Sequence, residues 1–274
     1  MPILPGDLGK GSSIKVEVLD TPEDIYNDMA RVMANKIKEH NLSGKTTTFI
    51  LPVGPTGQYR RLARICNLEG ISCRNLITFN MDEYCAFDDS PVPANHPMSF
   101  RGFMERDFFA LLDDDKKVKD KNKFFPDPKD LELIARNIEK AGGVDICFGG
   151  IGINGHIAFN EPPAGKQPDP EKFKNWGTRT LDITKETVVV NSIYGAGGDL
   201  EAIPPRCVTI GMKEILASRE LHFYLEWPWQ SAVVRKAVHG PVTPAFPASF
   251  LQTHPNCTIT IASCVALLPG AIPK

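Results

Sequence analysis

The loop between residues 149 and 162 holds the side chains best suited to chemistry. It reads GGIGINGHIAFNEP, so that His156 stands between Asn154 and Glu161. A histidine flanked by an amide and a carboxylate in one tight loop suits proton transfer near neutral pH, because imidazole titrates in that range. A single histidine is more often structural, but glycines let backbone approach a ligand closely, and their density here favours function. We therefore predict that His156 is catalytic.

The same glycines also have the spacing of a dinucleotide-binding loop, with Gly150, Gly152 and Gly155 in the pattern G-x-G-x-x-G after a predicted strand. Such a loop should lead into a helix whose N-terminus holds the pyrophosphate. Here the chain continues as HIAFNEPP, which has no helix signal and ends on two prolines. We therefore expect no nucleotide, no other cofactor and no metal.

A second candidate site is the pair of adjacent acids Asp82 and Glu83, which follows the strand-like run at residues 76–79. In α/β proteins, ligands bind at the carboxyl ends of strands. Two adjacent carboxylates cannot both be buried without a large desolvation cost, so we expect one of them to face a cavity. An ordinary solvated loop is the alternative.

Strand-like and helix-like segments alternate along the chain and must position these residues. The predicted strands are residues 46–51, 76–79, 144–148, 188–191, 207–210, 221–225 and 257–262. The predicted helices are one that begins at Thr21 and those at residues 59–65, 100–112, 131–141 and 230–238. This alternation predicts an α/β fold with a doubly wound, mainly parallel sheet flanked by helices, Rossmann-like, in a single domain spanning residues 1–274.

The segment at residues 162–176 is rich in proline and lysine and directly follows the histidine motif. A long loop in that place is often an active-site lid, and a loose surface insertion is the alternative. We expect a lid over residues 162–190.

Four motifs occur in this chain: FNMDEY at residues 79–84, HPMSF at 96–100, GIGINGHIAFNEP at 150–162 and PASFLQTHP at 247–255. In this combination the chain closely resembles the glucosamine-6-phosphate deaminase family, from about residue 50 to the end. The long histidine motif is the most specific of the four. The related 6-phosphogluconolactonases share only its G-x-G-x-x-G-H core, and they are the alternative within the superfamily.

The resemblance implies a cofactor-free ring opening, an aldose–ketose isomerisation and the loss of ammonia. It assigns to His156 the proton transfer between the ring oxygen and the anomeric hydroxyl, and to Asp82 the base that works between C2 and C1. Glu161 would orient and tune the histidine, and Glu83 would support the site as a second acid. Asn154 stands where the family often has Asp, and it should lower the proton affinity of the histidine.

The residues expected to hold the 6-phosphate depart from the family pattern. The segment LPVGPTGQY at residues 51–59 is shorter than the family's Gly/Ser/Thr-rich phosphate loop. Pro55 removes an amide donor, which leaves Gly54 and the hydroxyl of Thr56. Counted along the motifs, the family's phosphate-binding Arg and Lys match Ile193 and Gln230.

These departures leave two alternatives. The substrate lacks the 6-phosphate, and Trp227 and Trp229 stack on a sugar ring or fill the vacated pocket. Otherwise a cation comes from elsewhere in the chain, and the candidates are Arg60, Lys166, Arg179 and Arg235. The predicted substrate-binding residues are Glu83, Gly54, Thr56, Gly155, Gln230 and Trp229.

Two other functions compete with an amino-sugar deaminase/isomerase, phosphorylated or not. One is a lactonase in which His156 activates water, which would not need Asp82. The other is a non-catalytic sugar-binding protein, which the altered phosphate site permits but the joint presence of Asp82, His156 and Glu161 opposes.

The amino-acid composition limits which binding partners and which cellular compartment we expect for this protein. Lys plus Arg number 31 and Asp plus Glu 33, a balance that does not favour nucleic acid. The sequence has no membrane-spanning apolar run, its first residues do not resemble a signal peptide, and its seven cysteines contain no CxxC pair. We expect reduced thiols, a cytoplasmic location, a small-molecule sugar substrate and, because the family commonly self-associates, a homo-oligomer.

Overall fold

A computed structural model of the chain describes residues 3–270 and is built around a parallel sheet of seven strands in the order β1-β10-β9-β6-β2-β3-β5. A second, antiparallel sheet has the order β4-β8-β7. The strands are β1 Lys15–Leu19, β2 Thr47–Leu51, β3 Leu76–Asn80, β4 Asp82–Cys85, β5 Lys123–Phe124, β6 Ile146–Gly149, β7 Arg179–Asp182, β8 Arg206–Thr209, β9 Glu220–Leu225 and β10 Cys257–Ala262.

The α-helices flank the larger sheet or connect it to the smaller one. They are α1 Pro22–Leu42, α2 Gln58–Glu69, α3 Phe100–Asp107, α4 Leu133–Lys140, α5 Pro170–Lys174, α6 Lys185–Gly195, α7 Met212–Leu216, α8 Ser231–His239 and α9 Ser263–Ala266. Short 3-10 helices occur at Pro5–Asp7, Phe109–Leu111, Asp120–Asn122, Pro228–Gln230 and Pro247–Thr253. Within residues 3–270, no helix combines the length and apolar character needed to cross a membrane.

Helix α1 shows how local sequence sets an element. The side chain of Thr21 accepts a hydrogen bond from the Asp24 amide, the Asp24 carboxylate accepts one from the Thr21 amide, and Pro22 occupies the first turn. Six residues at helical spacing then form its buried face: Ile25, Met29, Ala30, Met33, Ala34 and Ile37. The helix start predicted at Thr21 is therefore confirmed.

The predicted fold class is confirmed, and six of the seven predicted strands lie within two residues of their observed bounds. The strand predicted at residues 188–191 is wrong, because these residues lie inside α6. Thr184 starts this helix by accepting a hydrogen bond from the Thr187 amide. The cap and the tertiary position thus outweigh the strand preference of Val188 to Val190. The small antiparallel sheet was not predicted.

The sheet order decides which loops meet. Strands β9, β6, β2 and β3 are neighbours and parallel, so the segments that follow them lie at one edge of the sheet. These segments carry Glu226 after β9, the glycine-rich loop after β6, Gly54 after β2 and Asp82 after β3. The smaller sheet stands beside this edge, because its strand β4 begins at Asp82.

Candidate active site

A cavity of about 580 Å³ lies at this edge of the sheet. Its walls are the four loops named above, the residues leading into α3, part of α6 and the side chain of Tyr26 from α1. Six of the predicted site residues line it: Gly54, Thr56, Asp82, His156, Trp229 and Gln230. Four do not line it: Glu83, Asn154, Gly155 and Glu161.

His156 is held by its Nδ1 atom, which lies 2.9 Å from the Asn154 side-chain oxygen. Since that oxygen can only accept, Nδ1 donates, and Nε2 of the neutral ring is left as an acceptor. The ring lies against Gly152, where a Cβ would come within 2.1 Å of it. Only glycine at position 152 therefore permits this placement of the His156 ring.

Glu161 lies behind the histidine and is buried. Its carboxylate accepts hydrogen bonds of 2.6 Å from both the Asn154 amide and the Thr187 hydroxyl, and it lies 3.4 Å from Nδ1 of His156. Burial raises the pKa of Glu161, but the charge of His156 and these hydrogen bonds outweigh it and bring the pKa to about 2. Glu161 thus supplies the negative charge that Asn154 cannot.

Thr184 and Thr187 belong to this network but were not predicted. Thr184 lies 3.2 Å from the Glu161 carboxylate, and Thr187 lies 3.2 Å from Nδ1 of His156. The residues after Thr187 have the composition of a strand. The sequence therefore gives no signal that the two threonines lie beside Glu161. Their position is a consequence of α6 packing beside the glycine-rich loop.

Asp82 lines the cavity with 7% of its surface exposed, and no side chain among residues 3–270 hydrogen-bonds its carboxyl group. Burial, and after it the charge of Glu83, raises the pKa of Asp82 well above its ordinary range. Such a carboxylate is a stronger base than a solvated one and is free to act on a ligand.

The structure corrects the predicted place of Glu83 beside the substrate. Its carboxylate accepts hydrogen bonds from the backbone amides of Phe100 and Arg101 and from the Ser99 hydroxyl, so it anchors the start of α3. The physical reason is the strand geometry of β4, in which successive side chains point to opposite faces. Asp82 therefore faces the cavity, and Glu83 faces the helix.

Two further predicted substrate-binding residues make contacts within the protein. The Gln230 side-chain oxygen accepts from the amides of Glu226 and Trp227, and its nitrogen donates to the Ile151 carbonyl. Gln230 thus lines the cavity but mainly braces its wall. Gly155 lies outside the cavity, and its carbonyl accepts a hydrogen bond from the backbone amide of Ala248.

No lysine or arginine is among the described residues that line the cavity. The four cations proposed as substitutes lie elsewhere: Arg60 pairs with Asp107, Arg179 bonds Asn160, Arg235 bonds three backbone carbonyls, and Lys166 is exposed. Ile193, which the sequence predicts to match the family's Arg, is 59% exposed on α6. Within residues 3–270 the cavity is therefore without a fixed positive charge other than a protonated His156.

An acid that was not predicted, Glu226, also lines the cavity. It is 6% exposed, and burial, opposed weakly by its own backbone and by Trp227, raises its pKa from 4.5 to about 7. A signal existed, because Glu226 follows a predicted strand directly, as Asp82 does. Tyr26 also lines the cavity, and its ring packs on Gly57, where an added Cβ would come within 2.5 Å of the ring.

Two tryptophans join the wall after β9 to α6. The Trp227 ring packs on Tyr194 with centroids 4.6 Å apart, and the Trp229 indole nitrogen donates to the Tyr194 hydroxyl at 2.9 Å.

The segment predicted as a lid, residues 162–190, contains α5, β7 and the first part of α6. No group of three His, Cys, Asp or Glu within the described chain could hold a metal ion.

The fold is Rossmann-like, and a 6-phosphogluconolactonase of Thermotoga maritima shares it. That structure matches with a TM-score of 0.64 over 91% of this chain and all of the other, at 16% identity, which shows the fold alone. No protein-family model matches the chain.

The family follows from two further comparisons. A glucosamine-6-phosphate deaminase of Porphyromonas gingivalis is 35% identical over 226 residues, which are 80% of this chain and 81% of that protein. The structure of a monomeric glucosamine-6-phosphate deaminase matches with a TM-score of 0.79 and 28% identity over 92% of this chain and 99% of the other. The chain belongs to the glucosamine-6-phosphate deaminase family, as its motifs indicated.

Proposed function

We propose that this protein is an amino-sugar deaminase/isomerase whose substrate carries no 6-phosphate. The observation that carries the proposal is the composition of the cavity. It presents an unpaired Asp82 carboxyl and a histidine backed by Glu161, and none of its described lining residues is a lysine or arginine.

The reaction begins with ring opening at His156. Its Nε2 accepts the proton of the anomeric hydroxyl and returns it to the ring oxygen as the C1–O5 bond breaks. The imidazolium that forms in between is stabilised by the ionised Glu161, 3.4 Å from Nδ1. Asn154 keeps the ring in this orientation through its bond to Nδ1.

Asp82 then carries out the isomerisation. Its carboxylate removes the C2 proton of the open-chain aldehyde, and the electron pair forms the C1–C2 double bond. The C1 oxygen takes a proton from the substrate's own ammonium group, which gives a neutral enolamine with a hydroxyl at C1. Returning the proton to C1 yields a C2 iminium, to which water adds, and the C–N bond breaks to release ammonia and the ketose. The raised pKa of Asp82 favours the first step, because proton transfer from carbon needs a stronger base.

Charge decides between the two substrate classes. The ionisable groups in the cavity are Asp82, Glu226, His156 and tyrosines. An amino sugar is a cation when protonated and suits the carboxylates, whereas a phosphate dianion would face them without a compensating cation. Two missing charge-assisted contacts, at about 1.5–3 kcal/mol each, correspond to roughly 100- to 10,000-fold in affinity.

We infer that residues 162–190 close the cavity when the sugar binds, since the segment ends in α6, where Val190 lines the cavity. Self-association remains a prediction, and the related structure cited above is described as monomeric. The cytoplasmic location also remains a prediction.

The test is ammonia release from purified protein given glucosamine, galactosamine and their 6-phosphates. We expect turnover of an unphosphorylated sugar, with kcat/KM at least about 100-fold above that of its 6-phosphate. Preferred turnover of a 6-phosphate would refute the proposed substrate class. Asp82→Asn is the catalytic control: full activity of this variant on a sugar lactone would favour a lactonase, and binding without turnover by the unmodified protein would favour a sugar-binding role.

A further inference from the structure

The backbone at Glu226 is fixed in place at the carboxyl end of β9. Its amide donates to the Gln230 side chain at 3.0 Å, and its carbonyl accepts from the Cys264 thiol at 3.5 Å. The neighbouring Trp227 amide donates to the same Gln230 oxygen at 2.9 Å. Gln230 therefore fixes the backbone at Glu226, a residue that lines the cavity.

The carboxyl group of Glu226 is buried but has no partner that accounts for its burial. No lysine or arginine within residues 3–270 forms an ion pair with it. Its own backbone and the Trp227 side chain favour its charged form, but burial outweighs them and raises its pKa. Burying such a group is costly unless a donor meets it. Because the group lines the cavity, a ligand can supply that donor.

Tyr26 also lines the cavity. Burial and, after it, the charge of Glu226 raise the pKa of Tyr26 to about 12, as expected for two groups that share one cavity. The Tyr26 hydroxyl has no hydrogen-bond partner among the described residues. Together they offer a phenol donor and a carboxyl acceptor, which is the pairing that an alcohol needs.

The sheet sets the distance between this pair and the reaction centre. Glu226 follows β9 and Asp82 follows β3, with β6 and β2 between them, so three strand spacings, about 14 Å, separate the two strands. Both residues line the cavity, and the spacing of their strands leaves room for a hexose between them. The end of the sugar remote from Asp82 then lies at Glu226.

We propose that Glu226 and Tyr26 form a subsite that binds the free hydroxymethyl end of the sugar and thereby selects against a charged group there. The inference rests on the proposed function and assigns it a specificity-determining residue. A hydroxyl donates to the carboxylate and accepts from the phenol, whereas a phosphate brings like charge to Glu226. Glu226 therefore recognises a neutral hydroxyl at the place where a phosphate-binding site would have a cation.

The test is a cycle of two proteins and two sugars. We would measure kcat/KM for glucosamine and 6-deoxyglucosamine with the unmodified enzyme and with Glu226→Ala. Loss of the hydroxyl should lower kcat/KM by roughly 10- to 100-fold in the unmodified enzyme and by less than about 2-fold in Glu226→Ala. Glu220→Gln, which changes an acid at the opposite end of the same strand, should behave like the unmodified enzyme.

An equal penalty for the 6-deoxy sugar in both proteins would overturn the subsite. Calorimetric binding of the same two sugars to the same proteins separates this failure from failure of the proposed function. If glucosamine binds without releasing ammonia, the deaminase proposal fails, and the affinities still test the subsite by the same cycle. If neither sugar binds, both proposals are overturned.

Discussion

Replacing Glu226 by glutamine should make the ligand-free protein more stable at neutral and alkaline pH. The folded-state pKa of this carboxyl is raised by burial from 4.5 to about 7. A group with a raised folded-state pKa contributes its stability below the unfolded-state value and loses it as the pH rises through the folded-state value. The window for Glu226 therefore runs from about pH 4.5 to just above pH 7.

The size of the effect follows from that shift. A rise of about 2.5 units corresponds to about 3 kcal/mol of unfolding free energy, since each unit is worth about 1.4 kcal/mol. Less than about 1 kcal/mol is lost at pH 5, and nearly all of it is lost by pH 8. Glutamine has the shape of the neutral acid at every pH, so the variant escapes the loss. The stability difference between the two proteins should grow by about 2 kcal/mol from pH 5 to pH 8.

The assay is urea unfolding at several pH values between 5 and 8 without substrate, supported by thermal unfolding. The variant's advantage in Tm should widen by about 4–8 °C across this range. Asp82 and Tyr26 in the cavity also have raised pKa values, but they are common to both proteins and largely cancel in the difference. Glu220→Gln serves as the control. Parallel pH curves for the unmodified protein and Glu226→Gln would refute the assignment of a buried, unpaired carboxyl.

Asp82→Asn should abolish ammonia release while retaining sugar affinity within about 10-fold, because the amide keeps the shape but cannot take a proton; retained turnover would exclude Asp82 as the base. Glu161→Gln should lower kcat by about 10- to 100-fold with little change in KM, and it should remove a stabilisation that the unmodified protein loses as the pH falls from 4.5 to about 2. Acid unfolding that is identical in both proteins would contradict the ion pair with His156. Gln230→Lys should cost about 2–4 kcal/mol in urea unfolding, since two amides and a carbonyl lose their partner, and it should not confer use of a 6-phosphate. A stable variant that turns over the 6-phosphate would mean that the missing lysine alone sets specificity.

Several parts of the fold could be predicted because they depend on short stretches of chain. The buried strand β2 and the capped helix α1 carry their signals within a few residues. The run Val188 to Val190 shows the limit of this approach. Strand preference is weak, and a capped start at Thr184 together with packing beside the cavity makes these residues helical.

The residues of the candidate site likewise differ in whether they could be predicted from the sequence. The acid–histidine loop could be identified because its spacing places the groups together within one turn of chain, and Asp82 because it follows a strand. Glu83 was misplaced, since the side on which a strand residue lies depends on the register of β4, which pairs with the distant strand β8. Glu226 was missed although it follows a strand as Asp82 does.

The sequence by itself determined the α/β class and the family, and it predicts that the family's phosphate-binding Arg and Lys are missing at positions 193 and 230. Only the tertiary structure decided what stands in their place. Whether another cation reaches the cavity depends on contacts between elements far apart in sequence, and Arg60, Arg179 and Arg235 each bond elsewhere. Tyr26 from α1 and Glu226 after β9 line one cavity for the same reason. Side-chain charge and spacing are local properties of a chain, whereas the set of groups that share a cavity is fixed by strand order and helix packing.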